Sequence, residues 1–320
     1  MSKAAICVVV PVYKAMATLD RCVESVLAQQ VEGGLTCILV DDGSPDESGA
    51  LCDAWAAKDG RVTVIHQDDL GVSGARNSGL AAADSEFIVF LDSDDALRPG
   101  ALQAALTAQR AAPQDFVVWH YTTDEKDPAA VTADAEPRTQ AGLARLWLDC
   151  LLAMPWNKLY RADLAKQLQF DVQYTLGEDL QFVLDYIALL GQTVPEFGYR
   201  VMTSPLTFYD CSRGGTLSTR YHANYCDIWP KHFAKLNAAC HAAACPAEDM
   251  RPLHRAELQV FAEGVADIMR RDPSPTQRLK GYKAEAALRS PWLRALLERM
   301  KIEHCYSAYY LPCRWNSLRL

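Results

Sequence analysis

Two clusters of aspartate follow apolar runs in the first hundred residues, and carboxylates placed in this way bind metal ions or accept protons. Asp41 and Asp42 come directly after the run 35–40, and Asp92-Ser93-Asp94-Asp95 follows the run 87–91. Aspartate also favours turns and helix N-caps, so turn chemistry explains either cluster alone equally well. Two clusters at one sheet edge favour a ligand site, because ligands bind beyond the carboxyl ends of strands in open α/β sheets.

The acidic character of this edge indicates which ligand it takes. A pocket lined by carboxylates repels a diphosphate unless a cation lies between them. Mg²⁺ and Mn²⁺ bind through one or two carboxylates together with substrate phosphates. The D-x-D pattern of Asp92 and Asp94 therefore predicts a site for Mn²⁺ or Mg²⁺ and a diphosphate.

The nucleotide motifs that the chain lacks narrow the choice of base. There is no G-x-G-x-x-G after the first strand, where Pro11-Val12-Tyr13 stands, and no G-x-x-x-x-G-K-[ST] anywhere. An ionised Asp42 offers only acceptor oxygens. It can receive the imino N–H of uracil or guanine, whereas adenine has no such group to offer.

The elements that position these residues alternate between strand and helix patterns over the first 120 residues. Strands are predicted at 6–10, 35–40, 62–65, 87–91 and 116–121, with helical spacing between them. Such alternation with short connections predicts an α/β fold with a mostly parallel central sheet and helices on both faces. Pro99 is expected in the first turn of a helix, where its missing N–H costs nothing.

The rest of the chain is predicted to be mostly helical. Residues 122–140 lack periodicity and are expected to form an exposed loop, and a strand or hairpin is expected near 199–209. From about 221 the pattern is helical and rich in alanine. We therefore predict two domains, 1–220 with the sheet and 221–320 as a helical C-terminal subdomain.

Composition excludes some partners and locations. The net charge of −8 over 320 residues argues against a nucleic-acid binder. No apolar run reaches the roughly 18 residues of a membrane span, and we expect a cytoplasmic protein. Residues 289–320 hold six basic and two acidic residues among tryptophans and tyrosines. This segment is typical of a peripheral contact with the inner face of a membrane, or of a packing or dimer surface.

Six ordered motifs, which cover roughly residues 6–220, resemble those of the family 2 glycosyltransferases. The family has the GT-A nucleotide-sugar-binding fold and builds bacterial polysaccharides and other glycans. The last ~100 residues match no family that we can name. The matching motifs are Val9-Val10-Pro11-Val12-Tyr13, Val40-Asp41-Asp42-Gly43-Ser44, Gly71-Val72-Ser73-Gly74-Ala75-Arg76-Asn77-Ser78-Gly79, Leu91-Asp92-Ser93-Asp94-Asp95, Pro155-Trp156-Asn157-Lys158-Leu159-Tyr160 and Gly177-Glu178-Asp179-Leu180.

The resemblance implies a set of residues for the nucleotide-sugar donor. Within it, the ring of Tyr13 stacks on the base, Asp92 holds ribose or sugar hydroxyls, and Asp94 binds the metal. Arg76 faces the phosphates, or alternatively forms a salt bridge to an acid on a helix face. The set is Pro11, Tyr13, Asp42, Arg76, Asn77, Asp92, Ser93 and Arg213. The family has Tyr-x-Arg near the last of these, whereas Arg213 lies four residues after Tyr209.

The resemblance also implies the chemistry, which is inverting transfer of the sugar to an acceptor hydroxyl. Asp179 takes the position of the family's base, with Glu178 beside it as the second choice. Both open a helical pattern, so helix capping is the alternative. Trp156 is expected either to form the floor of the acceptor site or to lie in the core. The acceptor is a glycan or a lipid-linked saccharide.

Two other functions remain open from the sequence alone. A sugar-phosphate nucleotidyltransferase uses a related sheet, but it carries a glycine-rich loop after the first strand that this chain lacks. A non-catalytic nucleotide-sugar-binding module would have lost its acidic residues, and here they are present.

The acceptor character of Asp42 gives a first prediction about the base. UDP should compete for the donor site better than ADP, because uracil presents an imino N–H to this carboxylate and adenine does not. Guanine has such a group too, so GDP is the second candidate. The measurement is competition between these nucleotides with Mn²⁺ present. Equal competition by ADP would remove this role from Asp42.

Overall fold

The computed structural model describes residues 3–174, 176–212 and 225–271. The chain divides into two compact units. The first combines Met1–Gln140 with Leu151–Arg213, and the second combines Ala141–Cys150 with Gly214–Leu320. The structure thus assigns residues 141–150 to the second unit, whereas the pattern of the sequence places them in the first.

The first unit is built around one nine-stranded sheet with the order β3-β2-β1-β4-β8-β6-β9-β5, in which β7 also pairs with β9. The strands are β1 (Ala4–Val12), β2 (Leu35–Asp42), β3 (Val62–Gln67), β4 (Ser85–Phe90), β5 (Ala96–Leu97), β6 (Phe116–Thr122), β7 (Ala135–Thr139), β8 (Lys158–Arg161) and β9 (Gly198–Phe208).

Parallel pairing dominates the sheet, as the sequence predicts. β1 pairs in parallel with β2 and β4, β2 with β3, and β6 with β9. β8 joins the two halves by antiparallel pairing with β4 and β6, and the short strands β5 and β7 pair antiparallel with β9. The carboxyl ends of β1, β2 and β4 therefore share one edge, which is where the two aspartate clusters lie.

The helices of the first unit cover both faces of the sheet. They are α1 (Leu19–Leu27), α2 (Ser48–Lys58), α3 (Gly71–Ala82), α4 (Ala101–Ala111), α6 (Ala162–Ala165) and α7 (Glu178–Thr193). Strand side chains alternate between faces. Val8 and Val10 of β1 accordingly join the core cluster that includes α1 and α4, while Val9 points to α3. The predicted α/β class is confirmed.

Gly79 lets α3 lie directly against β1 and β2. A Cβ built at this glycine would overlap with Val9 Cγ1 and stand 3.3 Å from Val40 Cγ2. Because α3 carries Arg76 on the turn before Gly79, this close approach fixes the depth at which Arg76 lies over the sheet.

Three predictions about local structure need correction. Pro99 lies in a turn before α4, which begins at Ala101, so it is not in the first turn of the helix. Residues 135–139 form β7, although the sequence predicts a loop there, because five residues pair with β9. Residues 158–161 form β8 in a stretch predicted as helical, since the buried backbone between β4 and β6 obtains its hydrogen bonds from both strands.

The described part of the second unit is helical. It consists of α5 (Leu143–Leu148), α8 (Tyr225–Ala242) and α9 (Ala247–Arg271). The amide nitrogen of Asn237 in α8 donates a hydrogen bond to Glu257 of α9, and its amide oxygen accepts one from His254 Nε2 of α9 at 3.0 Å. Buried polar groups therefore connect these two helices. No helix in the described ranges is both long and apolar enough to cross a membrane. The basic and aromatic segment 289–320 lies outside the described residues.

The close approach at Gly79 gives a prediction about stability. Gly79→Ala should lower the free energy of unfolding by about 1–3 kcal/mol, because the added methyl overpacks the contact with Val9. Urea unfolding followed by circular dichroism measures this loss. Gly60→Ala is the matched control: nothing lies within 4 Å of its built Cβ, so a change within about 0.5 kcal/mol is expected. Equal losses in both variants would contradict the packing argument.

Candidate active site

The ends of β1 and β2 form one side of the candidate site. Val12 pairs with Asp41, which brings Tyr13 next to Asp42. Ser48 Oγ accepts the backbone N–H of Ala15 at 2.8 Å, and this bond ties the loop after β1 to α2. Pro11 is buried in its strand, whereas Tyr13 is 44% exposed. The arrangement gives Tyr13 a half-exposed ring beside the carboxylate, with Lys14 Nζ 4.9 Å from the ring centroid.

Asp42 is buried and already organises the loop that leads into α3. Its Oδ1 accepts Gln67 Nε2 at 2.7 Å and the backbone N–H of Leu70 at 3.0 Å. No hydrogen bond to Oδ2 comes from the described residues, so this oxygen keeps its acceptor capacity. Asp41 is engaged elsewhere, with His66 Nδ1 3.0 Å from its Oδ2. Of the two aspartates, Asp42 is therefore the one suited to bind the nucleotide base.

The second cluster forms a turn between β4 and β5. The side chains of Asp92, Ser93 and Asp94 are partly exposed, while Asp95 is fully buried. Burial, with Asp92 as the next cause, raises the pKa of Asp95 to about 9. The carboxylates of the turn that a ligand can reach are therefore those of Asp92 and Asp94.

Arg76 of α3 joins this turn to α7. Its two terminal nitrogens lie 2.8 Å from Asp92 Oδ1 and 2.6 Å from Asp179 Oδ1, and its side chain is 4% exposed. Burial opposes the charge, but Asp179 and Asp92 outweigh it and raise the pKa of Arg76. Of the two alternatives for Arg76, the structure has the ion pair to an acid on a helix, which uses NH1, while NH2 pairs with Asp92 of the turn.

Asp179 has the environment of a general base. Its Oδ1 is held by Arg76, its side chain is 28% exposed, and no hydrogen bond to Oδ2 comes from the described residues. Burial raises its pKa to about 7, and Glu178 and Asp92 add to this, although Arg76 acts in the opposite sense. A base whose pKa lies near the working pH is efficient, because a sizeable fraction of it is ionised and that fraction accepts a proton readily. Glu178, the second choice, is buried.

A cluster of aromatic side chains packs α7 against β4 and Arg76. Phe170 and Phe182 stack at 3.9 Å, and both meet Phe90 of β4 edge-on at 5.2 and 5.8 Å. Arg76 lies over the ring of Phe170 at 5.4 Å. The helix begins after Gly177, whose φ of +78° lies in the left-handed region that glycine adopts without strain. The first turn of α7 is thereby held against Arg76.

Two residues that are expected to contact a ligand make structural contacts in the fold. Both amide atoms of Asn77 bond the backbone of Phe170, at 2.8 Å each. Trp156 is 3% exposed and stacks on Tyr209 at 5.4 Å, so the core alternative describes it. A direct contact between Trp156 and an acceptor does not fit this arrangement, because Tyr209 covers its ring. Arg213 lies outside the described residues.

The partners of several residues at the site carried no signal in the sequence. Arg21 of α1 pairs with Asp210, and the backbone N–H of Asp210 bonds Asp95. Lys158 is fully buried, and its ammonium donates to Leu151 O, Met154 O and Asn157 Oδ1. Burial lowers the pKa of Lys158 strongly. A lysine at a strand end is expected to be exposed. The oxygens that accept its hydrogen bonds come together only in the folded chain, so the sequence does not predict its burial.

This fold is that of the GT-A glycosyltransferases. The structure of S. aureus TarS 1-349 in complex with UDP-GlcNAc superposes with a TM-score of 0.60 over 88% of this chain and 79% of that chain, at 16% identity. The mannosyltransferase PcManGT from Pyrobaculum calidifontis, in complex with GDP-Man and Mn²⁺, reaches 0.54 at 17% identity, over 99% of this chain and 87% of that chain.

Sequence similarity assigns the family. Residues 7–169, half of the chain, match Glycosyl transferase family 2, and the chain belongs to this family. The glycosyltransferase GlyG of Streptococcus pneumoniae serotype 4 is 39% identical over 38% of this chain and 41% of that protein. The succinoglycan biosynthesis protein ExoO of Rhizobium meliloti is 31% identical over 60% of this chain and 58% of that protein. The chain thus spans about half the length of these relatives. The nucleotidyltransferase and binding-module alternatives are not favoured.

The position of Asp179 predicts how transfer depends on charge and pH. Asp179→Asn should lower the transfer rate about 10²–10⁴-fold, because a positioned base is lost. In the wild type the rate should rise with pH and level off above about 7, since only ionised Asp179 accepts a proton. Rates, UDP affinity and melting temperature are measured together.

Glu178→Gln is the matched comparison, since it removes the same charge from the same turn of α7. A helix-capping role would make the two variants alike, with a stability loss of about 0.5–2 kcal/mol and little effect on chemistry. Near-normal transfer by Asp179→Asn would move the base elsewhere, with Glu178 first in line.

Proposed function

We propose that this protein is an inverting glycosyltransferase that moves a sugar from a nucleotide-sugar donor to an acceptor hydroxyl. The observation that carries the proposal is the bridge from Asp92 through Arg76 to Asp179. It places a carboxylate of raised pKa beside an acidic turn at the carboxyl edge of the sheet. This is where an acceptor and a donor must meet.

The chemistry follows from the two oxygens of Asp179. Oδ1 is held by Arg76, which orients the carboxylate, and Oδ2 takes the proton of the acceptor hydroxyl. The acceptor oxygen then bonds to the anomeric carbon on the side opposite to the diphosphate, and the bond from that carbon to the diphosphate breaks. The nucleoside diphosphate leaves, and Asp179 later releases its proton to water.

Tyr13, Asp42 and Pro11 hold the nucleoside in this proposal. Tyr13 offers a ring that is 44% exposed, and Asp42 retains the acceptor capacity of Oδ2. Uridine is the base proposed first and guanosine the alternative. Similar structures support both, since the TarS complex contains UDP-GlcNAc and the PcManGT complex contains GDP-Man.

A divalent metal, Mn²⁺ or Mg²⁺, fits the acidic turn. Asp94 is the proposed ligand, and Asp92 and Ser93 bind donor hydroxyls. No group of three or more histidine, cysteine or acidic side chains suited to a metal occurs in the described residues, and the remaining ligands would be diphosphate oxygens and water. The ion supplies counter-charge to the departing diphosphate. The Mn²⁺ in the PcManGT complex supports this assignment.

The acceptor is proposed to be a glycan or lipid-linked saccharide in polysaccharide assembly, which the similarity to ExoO supports. Tyr209 is the aromatic residue proposed to contact it. The residue is partly exposed, stacks on Trp156 and lies near the acidic turn, whose carboxylates contribute to raising the pKa of Tyr209 to about 12 after burial, the larger cause. Trp156 then supports Tyr209 from below.

The metal assignment is tested by donor binding. UDP should bind measurably with Mn²⁺ and much more weakly with excess EDTA, and Asp94→Ala should remove the difference, because the diphosphate then meets an acidic turn without a cation. Isothermal titration calorimetry measures the affinities. Asp84→Ala is the control, since it removes an aspartate whose side chain is 86% exposed.

Equal UDP affinity with Mn²⁺ and with EDTA would remove the metal from the proposal. A screen of UDP- and GDP-sugars for release of the nucleoside diphosphate tests the activity itself. A wild-type protein that hydrolyses or transfers none of these donors would contradict the proposed function.

A further inference from the structure

Arg21 touches the acidic turn, residues 92–95, at Asp94, whereas Arg76 touches it at Asp92. It belongs to α1, and its NH2 donates to the backbone carbonyl of Asp94 at 2.5 Å and to Asp210 Oδ2 at 2.6 Å. Its guanidinium also lies over the ring of Phe208 at 5.0 Å. One nitrogen therefore connects the peptide that carries the proposed metal ligand to the residues at the end of β9.

Asp210 closes this connection into a ring of contacts. Its backbone N–H donates to Asp95 Oδ1 at 3.0 Å, and its Oδ1 accepts the N–H of Ser212 at 2.9 Å. Asp94 and Asp95 are consecutive residues of the turn. The turn is thus held through Asp94 by Arg21 and through Asp95 by Asp210, and these two holders are ion-paired with each other.

The burial of these groups makes the arrangement specific. Asp210 is 8% exposed, and the side chain of Arg21 is 31% exposed. Losing one partner would leave the other charge poorly solvated, and the turn would lose a backbone contact at Asp94. A carboxylate that binds a metal must keep its position to a fraction of an ångström, which flexible turns achieve only through such support.

We propose that Arg21, together with Asp210, is a positioning residue for metal-dependent donor binding. The inference rests on the proposed function. Arg21 does not touch the donor or the metal; it fixes the backbone of Asp94 so that this carboxylate meets the ion in a preformed geometry. The positive charge of Arg21 is neutralised by Asp210, with Glu125 a further 3.7 Å partner of its NH1, so Arg21 holds the turn without opposing a second cation.

The chain contains a matched arginine for comparison. Arg61 NH2 donates to the carbonyl of Leu27 at 3.0 Å and pairs with Asp59 at 2.8 Å. Arg61 thus has the same two kinds of partner as Arg21, a backbone carbonyl and a carboxylate. It lies beside the C-terminal end of α1, whereas the acidic turn contacts Arg21 in the first turn of that helix.

The test measures binding of the metal rather than turnover. With UDP at a fixed saturating concentration, Mn²⁺ binding is followed by the electron paramagnetic resonance signal of the free ion. Arg21→Gln should weaken the apparent Mn²⁺ affinity about 10–100-fold, as loss of a group that orients a metal ligand typically does. Arg21→Lys should restore part of this affinity, because an ammonium can still reach one of the two acceptors. Arg61→Gln should bind Mn²⁺ as the wild type does.

Asp210→Asn provides a second variant in case Arg21→Gln is too unstable to purify. It removes the ion pair but keeps the backbone contact to Asp95, and it should weaken Mn²⁺ binding in the same direction. The double variant should lose less than the sum of the two single losses, because both act through one contact.

The outcomes separate this inference from the proposed function. A wild type that binds no Mn²⁺ in the presence of UDP overturns the metal site and this inference with it. If the wild type binds Mn²⁺ and Arg21→Gln binds it with the same affinity, the inference about Arg21 is overturned while the proposed function stands. Equal weakening in Arg21→Gln and Arg61→Gln does so too, since it would reflect general destabilisation.

Discussion

The burial of the Arg76 charge is the constraint on which the candidate site depends. A guanidinium that is almost fully enclosed must be neutralised nearby, and among the described residues the carboxylates of Asp92 and Asp179 pair with it directly. The strand end, α3 and the first turn of α7 therefore cannot move independently. The pairing also sets which atoms are left for chemistry, because it occupies Oδ1 of each carboxylate, and no hydrogen bond from the described part of the chain reaches Oδ2 of Asp179.

This constraint explains why so much of the surrounding structure is rigid. Gly79 brings α3 close to the sheet, the aromatic cluster around Phe90 and Phe182 holds α7, and Asn77 binds the backbone of Phe170. None of these contacts involves the nucleotide-sugar donor or the sugar acceptor. Their common effect is that Arg76 and Asp179 meet at 2.6 Å, which a loop-borne base would not do reproducibly.

The sequence predicts the first half of the fold well and the second half poorly, for physical reasons. In β1, β2 and α1 the apolar spacing is set by burial on known faces, and pattern and structure agree. In β8 only four residues pair, and the buried Lys158 resembles a surface residue until the carbonyls around it are known. A local pattern does not contain those partners.

The same division holds within the candidate site. Aspartates at strand ends, Tyr13 and the Glu178-Asp179 pair follow from local motif and position. The ion pair of Arg76 with a residue 103 positions further on does not, and neither does the support that Arg21 gives to the acidic turn. Trp156 is a different case: the sequence identifies it as part of a motif but does not predict its role. An aromatic residue in a motif fits a binding surface and a core equally well until its neighbours are known.

The strand β7 has a consequence for how the molecules behave towards one another. Beyond β9 the described sheet ends in β5, which has two residues, and β7, which contains Glu136, Pro137 and Arg138. An edge with free N–H and C=O groups recruits strands from other chains. Proline removes one donor from β7, the flanking charges oppose an approaching strand, and β5 is too short to template one. At high concentration this side of the sheet should therefore resist the edge-to-edge association that leads to aggregation.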